Sequence, residues 1–394
     1  MRRAWPSALA LVLLAAPLAA CQPSPTVSTA APGATAAASG GSAAPSAAPS
    51  RQTGTLTLVG RLGSLRAAHT ATSLLDGRVL IAGGCTEDSC EGITASTELL
   101  DPATGASTPG PAMHQPRVGQ AAVLLRDGRV LMAGGFQPGT ETATTEIYDP
   151  ATNAFSPGPT LLEPLADPVA VLLPDGRVLV AGGFSGHTSI ASVELLDPEV
   201  TTFRSTGPLS TPRSSHGGAL LPDGRVIVIG GNTRGDTGTV LASAEIYDPG
   251  TGTWTATGSM SVARHKLAVV GLADGRVLVI GGSSEQDAFG QYRSAEIYDP
   301  ATGTFARTGG MAAPRYKISG AVVRLDDGRV LVSAGSRKAE VYDPASGTFR
   351  QVASDADVGF NFAAAALLAD GSVLVSGGYD ARIHLTDQVL RFVP

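Results

Sequence analysis

Aromatic residues are scarce in this chain, at 5% of 394 residues, and charged residues reach only 16%. A core has to be assembled from Val, Leu, Ile and Ala, a composition that fits a well-buried β protein. Cations are in deficit: 28 Lys and Arg against 34 Asp and Glu give a net charge of −6. Such a surface offers no basic stripe to neutralise phosphates, which excludes nucleic acid as the expected partner. No apolar run reaches the ~20 residues that span a bilayer. There are three cysteines, Cys21, Cys85 and Cys90, and no histidines beside them at zinc spacing. The six histidines (69, 114, 187, 216, 265 and 384) are scattered, and neither a phosphate loop nor a Ser-His-Asp ordering stands out. Neither a metal nor a cofactor is expected.

The first residues read as an export signal. Arg2 and Arg3 precede an apolar stretch from Ala8 to Leu18, too short to cross a membrane. It ends in Leu18-Ala19-Ala20-Cys21, which resembles the lipobox of bacterial lipoproteins. The resemblance implies cleavage before Cys21, lipidation of its thiol, and a location at an outer membrane or cell surface, with the membrane met only through the lipid. The alternative is an ordinary secretory leader with an incidental cysteine. Without Arg2 and Arg3 the net charge is near −8. Residues 21–53 are dominated by Ser, Ala, Pro, Gly and Thr and bury too little apolar area to order themselves. They read as a tether, with a typical span of ~30 Å. In an exported chain, Cys85 and Cys90, five residues apart, are expected to form a local disulfide.

What the chain has in abundance is repetition. Asp-Gly recurs at 76, 127, 175, 223, 274, 327 and 370, between apolar runs, each time followed by Gly-Gly or, once, Ala334-Gly335. A period near 50 residues means stacked copies of one small unit. In the copy from Arg213 to Thr257, an apolar run ends at Pro222-Asp223-Gly224, a hairpin cue. Val226-Ile-Val-Ile229 follows as a strand covered on both faces, then Ala244-Glu-Ile-Tyr-Asp248 and, after a Pro-Gly-Thr-Gly turn, Thr253-Trp-Thr255. These are four antiparallel strands, A to D from the axis outward.

Gly-Gly, Glu-x-Tyr-Asp-Pro and a following aromatic resemble the Kelch repeat, and the resemblance covers residues 54–394. The Glu recurs as Glu98, Glu146, Glu194, Glu245, Glu296 and Glu340, and the strand-D aromatic as Phe155, Phe203, Trp254, Phe305 and Phe349, with Ser107 in the first copy. The last copy stops after its strand C, while Gly54-Thr-Leu-Thr-Leu-Val-Gly60 aligns with the strand D at Gly303–Gly309. The expected fold is therefore all-β: a seven-bladed propeller of four-stranded antiparallel blades, closed by the N-terminal strand joining the C-terminal blade. The arginine after each Asp-Gly turn (Arg78, Arg129, Arg177, Arg225, Arg276, Arg329) lies beside the Asp of Asp-Pro and is expected to make a cross-strand ion pair or turn hydrogen bonds.

Loop lengths separate the two faces. The A–B and C–D turns are short and uniform; the B–C loops vary from blade to blade, and binding concentrates on variable loops of a rigid scaffold. On that face the D–A loops end in Arg66, Arg117, Arg213, Arg264 and Arg315, replaced by Leu165 and Phe360 in blades 3 and 7, with His69, Gln120 and His216 three residues later. In eukaryotic Kelch domains arginines at this position line an acidic-peptide pocket, so the resemblance implies a ligand site at Arg66, His69, Arg117, Gln120, Arg213, His216, Arg264 and Arg315. The competing reading has the arginines bonding backbone carbonyls of a neighbouring blade. The function expected is a surface-anchored, monomeric recognition module for a glycan, peptide or partner protein. The alternatives are a carbohydrate-active or oxidising envelope enzyme, like galactose oxidase, and an envelope scaffold. The copper site of that enzyme family needs paired Tyr and His ligands and a Cys cross-linked to Tyr, for which Cys85 and Cys90 are poorly placed.

Overall fold

The computed structural model describes residues 53–394 except 187, 236–237, 286–288 and 355–360. The leader, Cys21, nearly all of the tether, and Phe360 lie outside the described residues. The chain from Thr53 onward forms seven four-stranded antiparallel sheets, with only two short 3-10 turns among the described residues. Among those residues no helix is long and apolar enough to cross a membrane.

Blade 4 shows the pattern. Its strands are Gly217–Leu220 (A), Val226–Ile229 (B), Ala244–Asp248 (C) and Thr253–Ala256 (D). Strand B is buried along its whole length, as the unbroken apolar run dictates. Strand C alternates between blade and seam: Tyr247 lies opposite Trp254, their rings 5.1 Å apart, and its hydroxyl reaches Thr206 of blade 3 at 2.8 Å. Blades 2, 5 and 6 repeat the ring pair through Tyr148–Phe155, Tyr298–Phe305 and Tyr342–Phe349. In blade 1 the position is Leu100 opposite Ser107, so the ring pair is missing on both strands.

Closure follows the expected route. Blade 7 consists of Ala364–Leu367, Val373–Ser376 and Gln388–Val393, and its fourth strand is Thr55–Arg61 from the other end of the chain. Leu56 pairs with Phe392 and Leu58 with Leu390, and both Leu56 and Phe392 are fully buried. A short segment of blade 6, Ala353–Ser354, adds a parallel contact to the outer edge of that strand.

The Gly-Gly pairs form the seams between blades. The second glycine donates its N–H to the carbonyl of the residue that leads into the next blade: Gly84 to Arg117, Gly183 to Arg213, Gly231 to Arg264, and Gly378 across the closure to Arg66, at 2.8–3.0 Å. A side chain at Gly230 would sit 2.5 Å from the Arg264 carbonyl, and φ there is +68°, so both space and conformation demand glycine.

Of the two arrangements expected for the arginines that open strand B, the turn hydrogen bonds form and the cross-strand pair does not. Each bonds the Asp of its own Asp-Gly turn: Arg78 donates its N–H to Asp76 Oδ1 at 3.0 Å and its Nε to Oδ2 at 2.9 Å, and the other five repeat this. A two-residue spacing lets one carboxylate take both donors locally, which leaves no reason to reach across. The Asp of Asp-Pro instead caps its own C–D turn, as Asp248 does by accepting from Gly250 at 2.8 Å. Blade 7, where Ser372 replaces the arginine, has the cross-strand version: Arg391 on strand C pairs with Asp370.

Candidate functional site at the channel mouth

The segments between strand D of one blade and strand A of the next run inward to the axis and carry two rings of side chains. The outer ring is Arg66, Arg117, Arg213, Arg264 and Arg315, each at most 1% exposed. Arg213 donates to the Gly230 and Ser243 carbonyls at 2.9 and 3.2 Å and meets Glu245 at 2.6 Å. The same pair forms at Arg66–Glu98, Arg117–Glu146, Arg264–Glu296 and Arg315–Glu340, at 2.6–2.9 Å. Both partners belong to one blade, and the carbonyls are those of that blade. The second carboxylate oxygen of Glu245 accepts from the N–H and hydroxyl of Ser210, on the incoming loop. Burial works against the Glu245 carboxylate, but the Ser210 donors and Arg213 outweigh it and hold its pKa below the ordinary range. The expectation that these arginines present free guanidinium groups to a ligand therefore needs correction. They are buried inside the scaffold, and none lines the channel mouth.

Blade 3 lacks the guanidinium. Leu165 fills its place, yet Glu194 remains, 2% exposed, with Oε2 accepting from Leu162 and Oε1 without a partner. Burial there dominates over the backbone donors and raises the Glu194 pKa. In blade 7 both partners are gone: Phe360 stands at the arginine position and Leu390 at that of the glutamate, opposite Val375 as Glu245 is opposite Val228.

Two residues after each arginine position lies the inner ring: Ala68, Gly119, Asp167, Ser215, Lys266, Lys317 and Phe362, one from each blade, all with φ between +50° and +65°. Backbone bonds run around it: Asp167 donates to Gly119, Lys266 to Ser215, Lys317 to Lys266, Phe362 to Lys317 and Ala68 to Phe362, at 2.8–3.2 Å. The left-handed turn swings each side chain off the blade toward the axis. All seven border a cavity of about 410 Å³ at the mouth of the channel, on the face of the B–C and D–A loops. That volume falls within the usual range for small-molecule sites.

His69, Gln120 and His216 also border this cavity, but they lean into the seams. His69 Nε2 lies 2.9 Å from Ser376 Oγ, and Gln120 donates to the Ala82 carbonyl at 3.0 Å, each at the end of strand B in the preceding blade. His216 packs in the equivalent place against Gly182, with the Ala181 carbonyl facing it, and neither ring nitrogen reaches hydrogen-bonding geometry. Burial, reinforced by the neighbouring arginine, lowers both imidazole pKa values to about 3 and keeps the rings neutral.

The polar character of the mouth comes from the inner ring. Asp167 is exposed to the channel; partial desolvation by the surrounding ring raises its pKa to about 6, with Lys266 opposing the shift. Lys317 is buried, its ammonium 5.2 Å from the Tyr316 ring centre and 5.1 Å from that of Phe362. Asp167, Ser215, Lys266, Lys317 and Phe362 were not among the residues singled out by sequence. Aligning the D–A segments on their arginines exposes them, because the column two residues on reads Ala, Gly, Asp, Ser, Lys, Lys, Phe.

The loops above the ring are braced. Cys85 and Cys90 are joined by a disulfide, with Cα atoms 4.8 Å apart, and cluster with Val118, Phe136, Ala166 and Phe184. Phe136 and Phe184, from the B–C hairpins of blades 2 and 3, lie 5.8 Å apart.

With this geometry in place, comparisons with known proteins bear on the fold. Two blades carry the Kelch motif: residues 168–210 and 213–261 match its family model. No curated protein sequence matches the chain. Among solved structures, a fungal alcohol oxidase of the AA5 family, in complex with copper, superposes with a TM-score of 0.68 at 18% identity, over 85% of this chain and 75% of that one. At that identity the likeness speaks for the propeller fold. Copper chemistry would need a ligand set, and among the described residues no three His, Cys, Asp or Glu side chains converge to hold a metal ion. The tyrosines of strand C point into seams with their hydroxyls bonded to threonine or asparagine, and the two paired cysteines hold each other. The described residues do not fit the copper centre that the galactose oxidase resemblance implies.

Proposed function

We propose that the protein is a recognition module displayed at the cell envelope, using the B–C/D–A face and its channel mouth to bind a glycan, peptide or partner protein. A Kelch propeller is a binding or recognition scaffold in general. One observation carries the finer reading: the inner ring. Where the scaffold repeats, its residues are buried and nearly the same in every blade; at the axis, seven stations with one backbone geometry hold six different residue types around an open cavity. Variation on a fixed frame is how a scaffold is adapted to a ligand. Display rests on Cys21 as a lipid anchor and on the tether behind it, both read from sequence.

The test uses the full-length protein to capture ligands from native envelope extract. It is run beside a variant whose blade 5 loop, 283–293, is shortened to the Ser336-Arg337-Lys338 length of blade 6. The proposal expects the shortened loop to reduce capture with the fold intact. Equal capture by both proteins, with loss on altering the A–B and C–D turns instead, overturns it. Incorporation of labelled fatty acid, abolished by Cys21→Ser, tests the anchor.

A further inference from the structure

We propose that blade 3 binds a compact monovalent cation, of the size of potassium or ammonium, where the neighbouring blades hold an arginine head group. Its ligands are oxygens of Gly182, Ser192 and Glu194. The site lies in the scaffold, apart from the channel mouth, and does not rest on the recognition reading.

Four blades define the place. In blade 4 the Arg213 head group donates to the Gly230 and Ser243 carbonyls, to Ser243 Oγ at 3.3 Å and to Glu245 Oε1 at 2.6 Å. Arg66, Arg117 and Arg264 meet the same four acceptors in blades 1, 2 and 5, with Thr144 in place of the serine in blade 2. Blade 3 retains the acceptors and lacks the donor. Gly182 donates its N–H to the Ser192 carbonyl as Gly230 does to Ser243, and Glu194 lies opposite Val180 as Glu245 lies opposite Val228. Leu165 ends at its δ carbons, too short to reach where the arginine nitrogens lie. It carries no donor, and it packs in an apolar cluster with Leu161 and Val178.

Two buried oxygens, Glu194 Oε1 and Ser192 Oγ, have no partner among the described residues. An ionised carboxylate is costly to bury without a counter-charge. The covering loop adds to the negative charge. It carries Glu163 at a station where blades 1, 2, 4, 5 and 6 have the neutral Ser64, Gln115, Thr211, Val262 and Ala313. Burial raises the Glu194 pKa, and Glu163 adds to the rise. The carboxylate is also close to solvent: Leu162, whose N–H it accepts, has an exposed side chain. Carboxylate, hydroxyl and carbonyl oxygens suit hard cations, and carbonyls can replace the hydration shell of potassium. One buried carboxylate calls for one positive charge, the charge that arginine brings to the other blades.

The experiment is thermal melting of the full-length protein near pH 8 at fixed ionic strength, as tetramethylammonium chloride is exchanged for potassium, ammonium or calcium chloride. Potassium or ammonium is expected to raise the midpoint, by roughly 2 °C once the cation stands at about ten times its Kd. Potassium alone would make this a metal site, ammonium alone a hydrogen-bonding one, and both a site set by size. Neither Glu194→Gln nor Leu165→Arg should respond: the first removes the charge, and the second supplies a guanidinium from within. In tetramethylammonium Glu194→Gln should be the more stable protein, and the smaller cation should narrow that gap. The inference is overturned if the wild type melts alike in every salt, if it responds to calcium alone, or if Glu194→Gln responds as the wild type does. Glu194→Gln decides the matter by itself should Leu165→Arg fail to fold.

Discussion

Two rings of side chains, two residues apart in the same seven segments, have opposite fates. The arginines of the outer ring turn into the blade, pair with a buried glutamate and take carbonyls of the Gly-Gly corner. The inner ring passes through left-handed backbone and turns into the channel. Repetition marks the first as structure: a buried guanidinium is tolerated only with its counter-charge and acceptors in place. Difference from blade to blade marks the second as the surface open to adaptation. A charged residue near a channel is therefore no indication of a site until the turn that aims it is known.

The most disruptive way to test the contrast is to remove one partner of an outer pair. Glu245→Ala leaves Arg213 buried without its counter-charge and is expected to cost about 3–5 kcal/mol, read by urea denaturation. Next comes the closure, since the ring argument needs blade 7 to be sealed. Leu56→Ala, at a fully buried position on the N-terminal strand, is expected to cost about 2–5 kcal/mol, whereas the exposed Leu162→Ala should change little. Opening the Cys85–Cys90 bridge with a double Ser variant removes a short-loop constraint worth about 2 kcal/mol on the chain-entropy account, felt mainly by the blade 1 loop.

The smallest effect sharpens the comparison most. Blade 3 retains the glutamate of the outer ring without its arginine, and its pKa is raised in the folded state. A raised carboxyl pKa means the folded chain holds a proton that the unfolded chain releases. Glu194 therefore favours folding at low pH and loses that contribution as pH climbs through its unfolded and then its folded pKa. Glu194→Gln should match the wild type near pH 4 and exceed it in stability at pH 8, measured by thermal melts across that range. The same substitution at Glu245, whose pKa is lowered, should show the reverse: a deficit at pH 8 that shrinks toward acid pH.

Much of the architecture was legible in the sequence because its signals are local and repeated. Asp-Gly set the A–B hairpins, the apolar runs marked strand B, and the unpaired Gly54–Gly60 segment revealed the closure. What sequence could not settle was direction. Arg213 and Lys266 look equally available on paper, and only the path of the D–A segment shows that one points inward to Glu245 and the other to the channel. The repeated strand-C glutamate was legible as scaffold, but its partner was not, since they are about 30 residues apart and meet only when strands A, B and C are stacked. For the turn arginines the sequence left two partners open, and at Arg78 the carboxylate two residues away is the one that bonds it.

The most direct test compares two substitutions in one segment, Arg264→Met and Lys266→Met, by urea denaturation and by ligand capture in parallel. The account predicts that Arg264→Met loses several kcal/mol of stability, whereas Lys266→Met unfolds within about 1 kcal/mol of the wild type and loses ligand. Equal destabilisation by both, or a stable Arg264→Met protein that no longer captures its ligand, would contradict it.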